Sequence, residues 1–318
     1  MTKARAYIHA AAALGPHGDT CGAERRLLHG DPPPLELKEL VKTVVGVSLR
    51  QASHLVELAA IGSQLCLKRL SRPAPEDTAV YIGTGLAEVR KNEAVFSQVM
   101  PPGPGLASPF DFINAANNMA AFYTAKLGNF RARNLTVTQE EFSFEWALHL
   151  ATADLRTGAY RQAIVGGVDE NSRPRASHLL RIVLRDDQPM GEGCGWLYLD
   201  NRREGARGEI LGTHYLTRDV DLVSLLAETV RTWRQEDEDV VVLPGFRYVD
   251  AEIAALLAAV PGLRAENYLA RCGAFHTAAA FGMAVIFDAP HTAPALIVHI
   301  NQNVVGDVML VVLRAFAT

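Results

Sequence analysis

Apolar positions along the chain follow two alternating patterns. Short runs of β-branched and aliphatic residues alternate with longer stretches whose apolar positions recur three and four residues apart. The short runs predict strands at Ala6–Ala13, Ala79–Ile82, Leu135–Thr138, Ala163–Val165, Gly195–Leu199, Val240–Leu243, Ala295–Ile300 and Val308–Arg314, continuous enough for interior strands covered on both faces. The longer stretches predict helices over Ser48–Arg69, Phe110–Leu127, Phe142–Arg156, Asp221–Trp233 and Ala251–Ala259. Thr157-Gly158 and Pro261-Gly262 supply stop signals. Two clusters, Asp31-Pro32-Pro33-Pro34 and the Pro/Gly run from Met100 to Gly105, forbid helix and fix extended surface connections. Alternation without a low-complexity linker predicts an α/β fold with buried sheets, drawn as two successive halves, 1–186 and 187–318, with the break near Asp186.

A chain of 318 residues, 49% of them hydrophobic, buries a large core. With 31 Lys+Arg against 35 Asp+Glu the net charge is −4, so no overall basic field holds a nucleic-acid backbone. No apolar run reaches the roughly 18 to 20 residues of a membrane span. The N-terminal MTKARAYIHAAAALG is too short, and too soon followed by charge, for a leader. The expectation is a soluble, cytoplasmic protein. Cys21, Cys66, Cys194 and Cys272 lie far apart, without the paired spacing of a metal or redox site, and are expected to be buried and inert.

Four segments carry a resemblance. They are Val80-Tyr81-Ile82-Gly83-Thr84-Gly85-Leu86; Ser108-Pro109-Phe110 with Asn117-Asn118-Met119-Ala120-Ala121; Ala163-Ile164-Val165-Gly166-Gly167-Val168-Asp169-Glu170; and Gly191 to Asp200 with Arg207-Gly208-Glu209-Ile210 behind it. In this order they resemble the β-ketoacyl synthase family. The resemblance implies a thiolase-like fold, two βαβαβαββ halves stacked in five layers (αβαβα). Function must then be read position by position.

In active members of that family a cysteine sits in a sharp strand-to-helix turn, where the helix N-terminus lowers its pKa and backbone amides form an oxyanion hole. Counting forward from Asn118 or backward from Gly166 lands on Glu141, or on Glu140 if the Gly128 turn absorbs one residue. A carboxylate cannot hold an acyl group as a thioester, so condensation by this chain alone is excluded. Pro244 stands where the family's first histidine follows its strand, and proline offers neither a ring nitrogen nor an amide hydrogen. In Arg271-Cys272-Gly273-Ala274-Phe275-His276, Arg271 takes the place of a lysine and His276 that of the second histidine. Arg271 suits a carboxylate partner, with Glu141 or Glu140 expected to pair with it. Of the family's glycine-rich C-terminal turn, only Asn301 and Gly306 are kept.

A homologue without the cysteine resembles the chain-length factor that pairs with an active ketosynthase. The resemblance implies a heterodimer with a cysteine-bearing ketosynthase, and acyl chains delivered on the phosphopantetheine of an acyl carrier protein bound by that partner. It implies no cofactor or metal of the chain's own. Phe110, Phe112, Asn118, Phe122 and Tyr123 are the candidates for an acyl tunnel or the subunit interface. The frame is shortened after Gly167 and after His276, which resembles subunits of aryl-polyene, fatty-acid-like pathways more than longer polyketide ones. Two alternatives stay open: a malonyl-carrier decarboxylase using Glu141 or Gln139 with His276, and a scaffold protein of thiolase-like shape. A dinucleotide-binding reading of Gly83-Thr84-Gly85 lacks the third glycine and the spaced acidic residue.

Overall fold

The computed structural model describes residues 5–19, 26–50, 52–103, 105–172, 175–176, 188–245, 250–260 and 262–317. Strand β1 (Ala6–Gly15) turns back through β2 (Gly18–Asp19), with Gly18 at positive φ making the reversal. β3 (Ala79–Gly83), β4 (Asn134–Val137), β5 (Gln162–Asp169) and β6 (Gly193–Asp200) complete the first set of strands. The second set is β7 (Gly208–Leu216), β8 (Asp239–Pro244), β9 (Leu263–Ala265), β10 (Ala295–Gln302) and β11 (Val308–Ala315). The hydrogen-bonded order runs β4-β3-β5-β6-β1-β7-β11-β10-β8-β9.

That order is palindromic. From the centre outward, each half places its strands in the chain order first, fifth, fourth, second, third. In both, the outer three strands are parallel and the fifth is antiparallel to its neighbours. The halves join where β1 and β7 pair over only three residues, Ala6↔Ile210, Tyr7↔Glu209 and Ile8↔Gly208. Strand β6 belongs with the first half, so the repeat of order closes between Asp200 and Gly208; Asp186 lies outside the described residues.

The main helices are α1 (His54–Lys68), α2 (Val89–Val99), α3 (Pro109–Asn114), α4 (Met119–Gly128), α5 (Ser143–Thr157), α6 (Leu222–Trp233), α7 (Asp250–Ala259) and α8 (Ala278–Asp288). Alternation along the strands sorts the core into layers. Ile297 and Val311 face a central cluster shared with Phe144 and Leu148 of α5 and Met283 and Phe287 of α8. Their neighbours Val298 and Val312 face an outer cluster with Leu226 of α6 and Leu256 of α7. On the first sheet Tyr81 and Val165 face the centre, whereas Val80 and Ile164 face α1 and α4. Helices α5 and α8 therefore lie between two sheets, each backed by outer helices, which is the expected five-layer thiolase-like fold.

Three elements depart from the periodicity. Helix α8 is buried on every side, so its Ala-rich sequence lacks an amphipathic stripe. Strand β7 exposes part of one face and alternates too weakly to stand out. The helix expected over Phe110–Leu127 is instead two helices, broken at Ala115–Asn118. There Asn114 Nδ2 donates to the Phe110 carbonyl at 2.8 Å, a side-chain bond that competes with helix continuation.

The close approach of α8 to β6 depends on Gly195, where an added Cβ would lie 2.0 Å from the Ala280 carbonyl oxygen. Because the obstacle is backbone, Gly195→Ala is expected to lower unfolding free energy by about 3 kcal/mol in urea titrations. A neutral effect would contradict this packing.

Candidate functional site

The site is built where β4 bends into α5. Glu140 adopts φ +45, a left-handed conformation that a non-glycine residue takes only under local constraint, and a single turn over Glu140–Phe142 leads into the helix. The constraint is visible: Ser143 Oγ accepts from Gln139 N at 2.8 Å and donates to the Glu140 carbonyl at 2.7 Å. Gly83 lets β3 approach this turn, because a Cβ there would lie 2.5 Å from the Ser143 carbonyl. The sharp elbow carries acids and no cysteine. Its left-handed residue, Glu140, is exposed, and Glu141 behind it is buried.

Beneath the elbow runs a polar network that sequence reasoning missed. Asn301 Nδ2 donates to the Glu141 carbonyl at 2.9 Å and to Glu145 Oε1 at 2.8 Å. His299, fully buried, places Nε2 2.9 Å from the same Glu145 oxygen and Nδ1 2.9 Å from the Leu243 carbonyl. The signal was present in the sequence as Glu145 inside the largely apolar run Phe142–Leu148 and His299 inside Ala295–Ile300. Through Glu145 Oε1 this is a positioning network that fixes β10 and β8 against the elbow. Pro244 is buried at the end of β8, paired in register with Ile300. It closes the strand and brings no donor to the site.

His276 is buried directly against the Gly83-Thr84-Gly85 turn, where a Cβ on Gly85 would lie 2.2 Å from the histidine Cβ. The following residue anchors it. Asp169 Oδ2 accepts from Thr277 N at 3.0 Å and Thr277 Oγ1 at 2.8 Å, while Oδ1 accepts from Thr84 Oγ1, Gly85 N and Leu86 N. Complete burial pushes the Asp169 carboxyl up despite these five donors. Arg271 is buried with its guanidinium 3.9 Å from Glu266. Phe246 to Tyr248, after the first histidine position, lie outside the described residues.

The described cysteines lie away from solvent. Cys66, Cys194 and Cys272 are fully buried. Burial pushes the Cys66 and Cys194 thiols up to about 12 and that of Cys272 further still, so none is a thiolate near neutral pH. Cys21 lies outside the described residues.

Behind the Gly85 turn stands a second group the sequence did not reveal. Glu88 accepts from Ser53 Oγ at 2.7 Å, Glu192 accepts from His54 Nε2 at 2.8 Å, and Glu170 faces Arg90 Nε at 3.6 Å. Burial pushes the Glu88 carboxyl up to about 7, with Glu170 adding repulsion. For Glu192 burial acts the other way from His54, and the His54 bond and charge prevail, holding it low.

Of the tunnel or interface candidates, Phe110, Phe112 and Phe122 are exposed, and Asn118 is exposed at the start of α4. Tyr123 is half-buried and meets Phe122 edge-on at 5.5 Å between centroids. Because α3 and α4 are separate helices, Phe110 and Phe112 sit on one and Phe122 and Tyr123 on the other.

The architecture, with two helices between paired sheets and an elbow opening one of them, defines a thiolase-like ketosynthase fold. Residues 44–182 match the family described as beta-ketoacyl synthase, N-terminal domain, and that part of the chain resembles the family. No curated protein matches the sequence. Among solved structures, the ishigamide ketosynthase/chain length factor is similar at 19% identity, covering 98% of this chain and 100% of that one, with a TM-score of 0.77. A type II polyketide synthase acyl-carrier protein in complex with its ketosynthase bound to the hexaketide matches at 15% identity, 99% and 100% coverage and TM-score 0.76. A beta-ketoacyl synthase from Burkholderia phymatum STM815 matches at 13% identity, 98% and 99% coverage and TM-score 0.70.

The Glu88 environment gives a testable pH dependence. From about pH 4.5 to 7 the folded chain keeps a proton that the unfolded chain releases, so this group's contribution to stability falls as pH rises through that window. Glu88→Gln, which retains an acceptor for Ser53, is expected to be more stable than the native chain by about 3 kcal/mol at pH 8 and equal to it near pH 4. Parallel urea midpoints across that range would refute the assignment.

Proposed function

We propose that this chain is a non-catalytic chain-length-factor subunit that pairs with an active ketosynthase. It shapes the acyl tunnel of polyketide or fatty-acid-like, aryl-polyene-type elongation, acting in the cytoplasm. The observation that supports the reading is a sharp strand-to-helix elbow that presents acids: Glu140 and Glu141 occupy the bend, and the described thiols are buried and protonated. A carboxylate at that bend accepts no acyl chain as a thioester, so the chemistry falls to a partner that carries one on a cysteine.

The surface beside the elbow supports the pairing. Phe110, Phe112, Ile113 and Phe122 are exposed together on α3 and α4, and Leu106 before them is 79% exposed. Large apolar side chains left exposed on two successive helices suit a contact with another molecule. Helix α4 adjoins β4, an edge strand whose outer side has no neighbour among the described strands. A subunit facing its homologue there contributes a wall to the acyl channel, and its aromatic side chains set how far a chain extends. The active partner binds the acyl carrier protein; this chain needs no cofactor. Loss of both a nucleophile and the first histidine, whose place Pro244 takes, weighs against an independent decarboxylase.

Co-expression with a cysteine-bearing ketosynthase is expected to give a 1:1 complex on size exclusion with mass analysis, whereas the chain alone self-associates. Within that complex, Phe112→Ala or Phe122→Ala is expected to shift products toward longer chains by one or more extension units, read by mass spectrometry. Unchanged product lengths with an intact complex would remove these residues from the tunnel; a monodisperse lone chain with condensing activity would overturn the reading.

A further inference from the structure

At the end of the sheets opposite the elbow, five arginines converge on a cavity of about 1010 Å³. Its place follows from its walls: Arg5 precedes β1, Gln235 lies before β8 and Pro294 immediately precedes β10, whereas the elbow region sits past the C-terminal ends of β4, β8 and β10. The cavity and the site described above therefore lie at opposite ends of the same strands.

The arginines are held in different ways. Arg314, nearly buried, donates Nη1 to Glu209 at 2.9 Å and Nε to Glu238. Arg5 shares Glu209 at 3.2 Å. Arg156 is half-buried and donates Nη2 to the carbonyls of Ile210 and Leu211 at 3.0 and 2.9 Å; among the described residues it has no carboxylate within ion-pair distance. Arg234 reaches the Glu238 carbonyl at 3.2 Å, and Arg203 lies over the Phe316 ring, 5.1 Å from its centroid. Among the described side chains, five guanidinium groups thus meet two carboxylates, Glu209 and Glu238, an excess of three positive charges in a chain of net charge −4.

We propose that this cavity binds a polyphosphorylated small molecule of nucleotide size. Guanidinium forks match phosphate oxygens two at a time, and among the described residues those of Arg156, Arg203 and Arg234 are not committed to a carboxylate side chain. Trp233 and Phe316 in the wall provide flat apolar surface for the remainder of the ligand. The volume suits a ligand larger than a single phosphate, at the upper end of ordinary small-molecule sites, on the order of 1,000 Å³. The proposal is independent of the subunit's role in chain elongation, because none of these residues touches the elbow.

The test is isothermal titration calorimetry of the full chain, alone or in its complex, with ATP, pyrophosphate and inorganic phosphate as probes. ATP and pyrophosphate are expected to bind more tightly than phosphate by about tenfold or more, with affinity falling as salt rises. Arg203→Gln, at an exposed position, is expected to weaken ATP by about tenfold, and Arg156→Gln to do so more strongly. Because Arg156 also holds two backbone carbonyls, Arg203→Gln serves as the reading if the Arg156 variant fails to fold. Lys42→Gln, at a distant exposed cation, is expected to change nothing. Absence of heat with both ATP and pyrophosphate at millimolar concentration, or equal weakening by Lys42→Gln, would overturn the site.

Discussion

One buried carboxylate ties together the three segments that frame the site. Asp169, at the end of β5, accepts five hydrogen bonds: three from the Thr84 to Leu86 turn and two from Thr277, next to His276. Hydrogen bonds to a charged acceptor contribute about 1.5 to 3 kcal/mol each, against several kcal/mol for taking a carboxylate out of water. The net gain in stability is therefore far smaller than the sum of the bonds, but the geometry is strict, since no other placement of these three segments satisfies all five donors. The end of β5, the Gly85 turn and the His276 turn are thereby positioned as one unit.

The duplication explains why the unit lies where it does. Two sheets with the same strand order, joined through three paired residues of β1 and β7, enclose α5 and α8 between them. α5 opens at the Glu140 elbow, and α8 opens just after His276 and Thr277. Residues at equivalent ends of the two halves are thus brought together in the middle layer, and the Glu145, His299 and Asn301 network crosses from one half to the other.

Most of the fold was legible because interior strands such as Val240–Leu243 and Val308–Arg314 carry unbroken aliphatic runs, and the four motif segments mark its turns. Helix α8 escaped because a helix buried on all sides has no periodic stripe, and the break between α3 and α4 escaped because a local Asn114 bond decided it. At the site, Glu141, Pro244 and His276 could be singled out from the sequence position by position. Glu145 with His299, and Glu88 with Glu170 and Glu192, were not, because their partners are up to 154 residues apart and only folding pairs them. The choice between Glu140 and Glu141 likewise could not be read from spacing; the left-handed backbone falls on Glu140 and the buried side chain on Glu141.

The central claim is that this polypeptide never carries the growing acyl chain. Intact-mass analysis of the complex after incubation with an acyl-loaded carrier protein tests it directly, because a thioester adds the mass of the acyl group to whichever subunit holds it. The account predicts the added mass on the cysteine-bearing partner alone. An acyl adduct on this chain, mapped to any of its four cysteines, would contradict it.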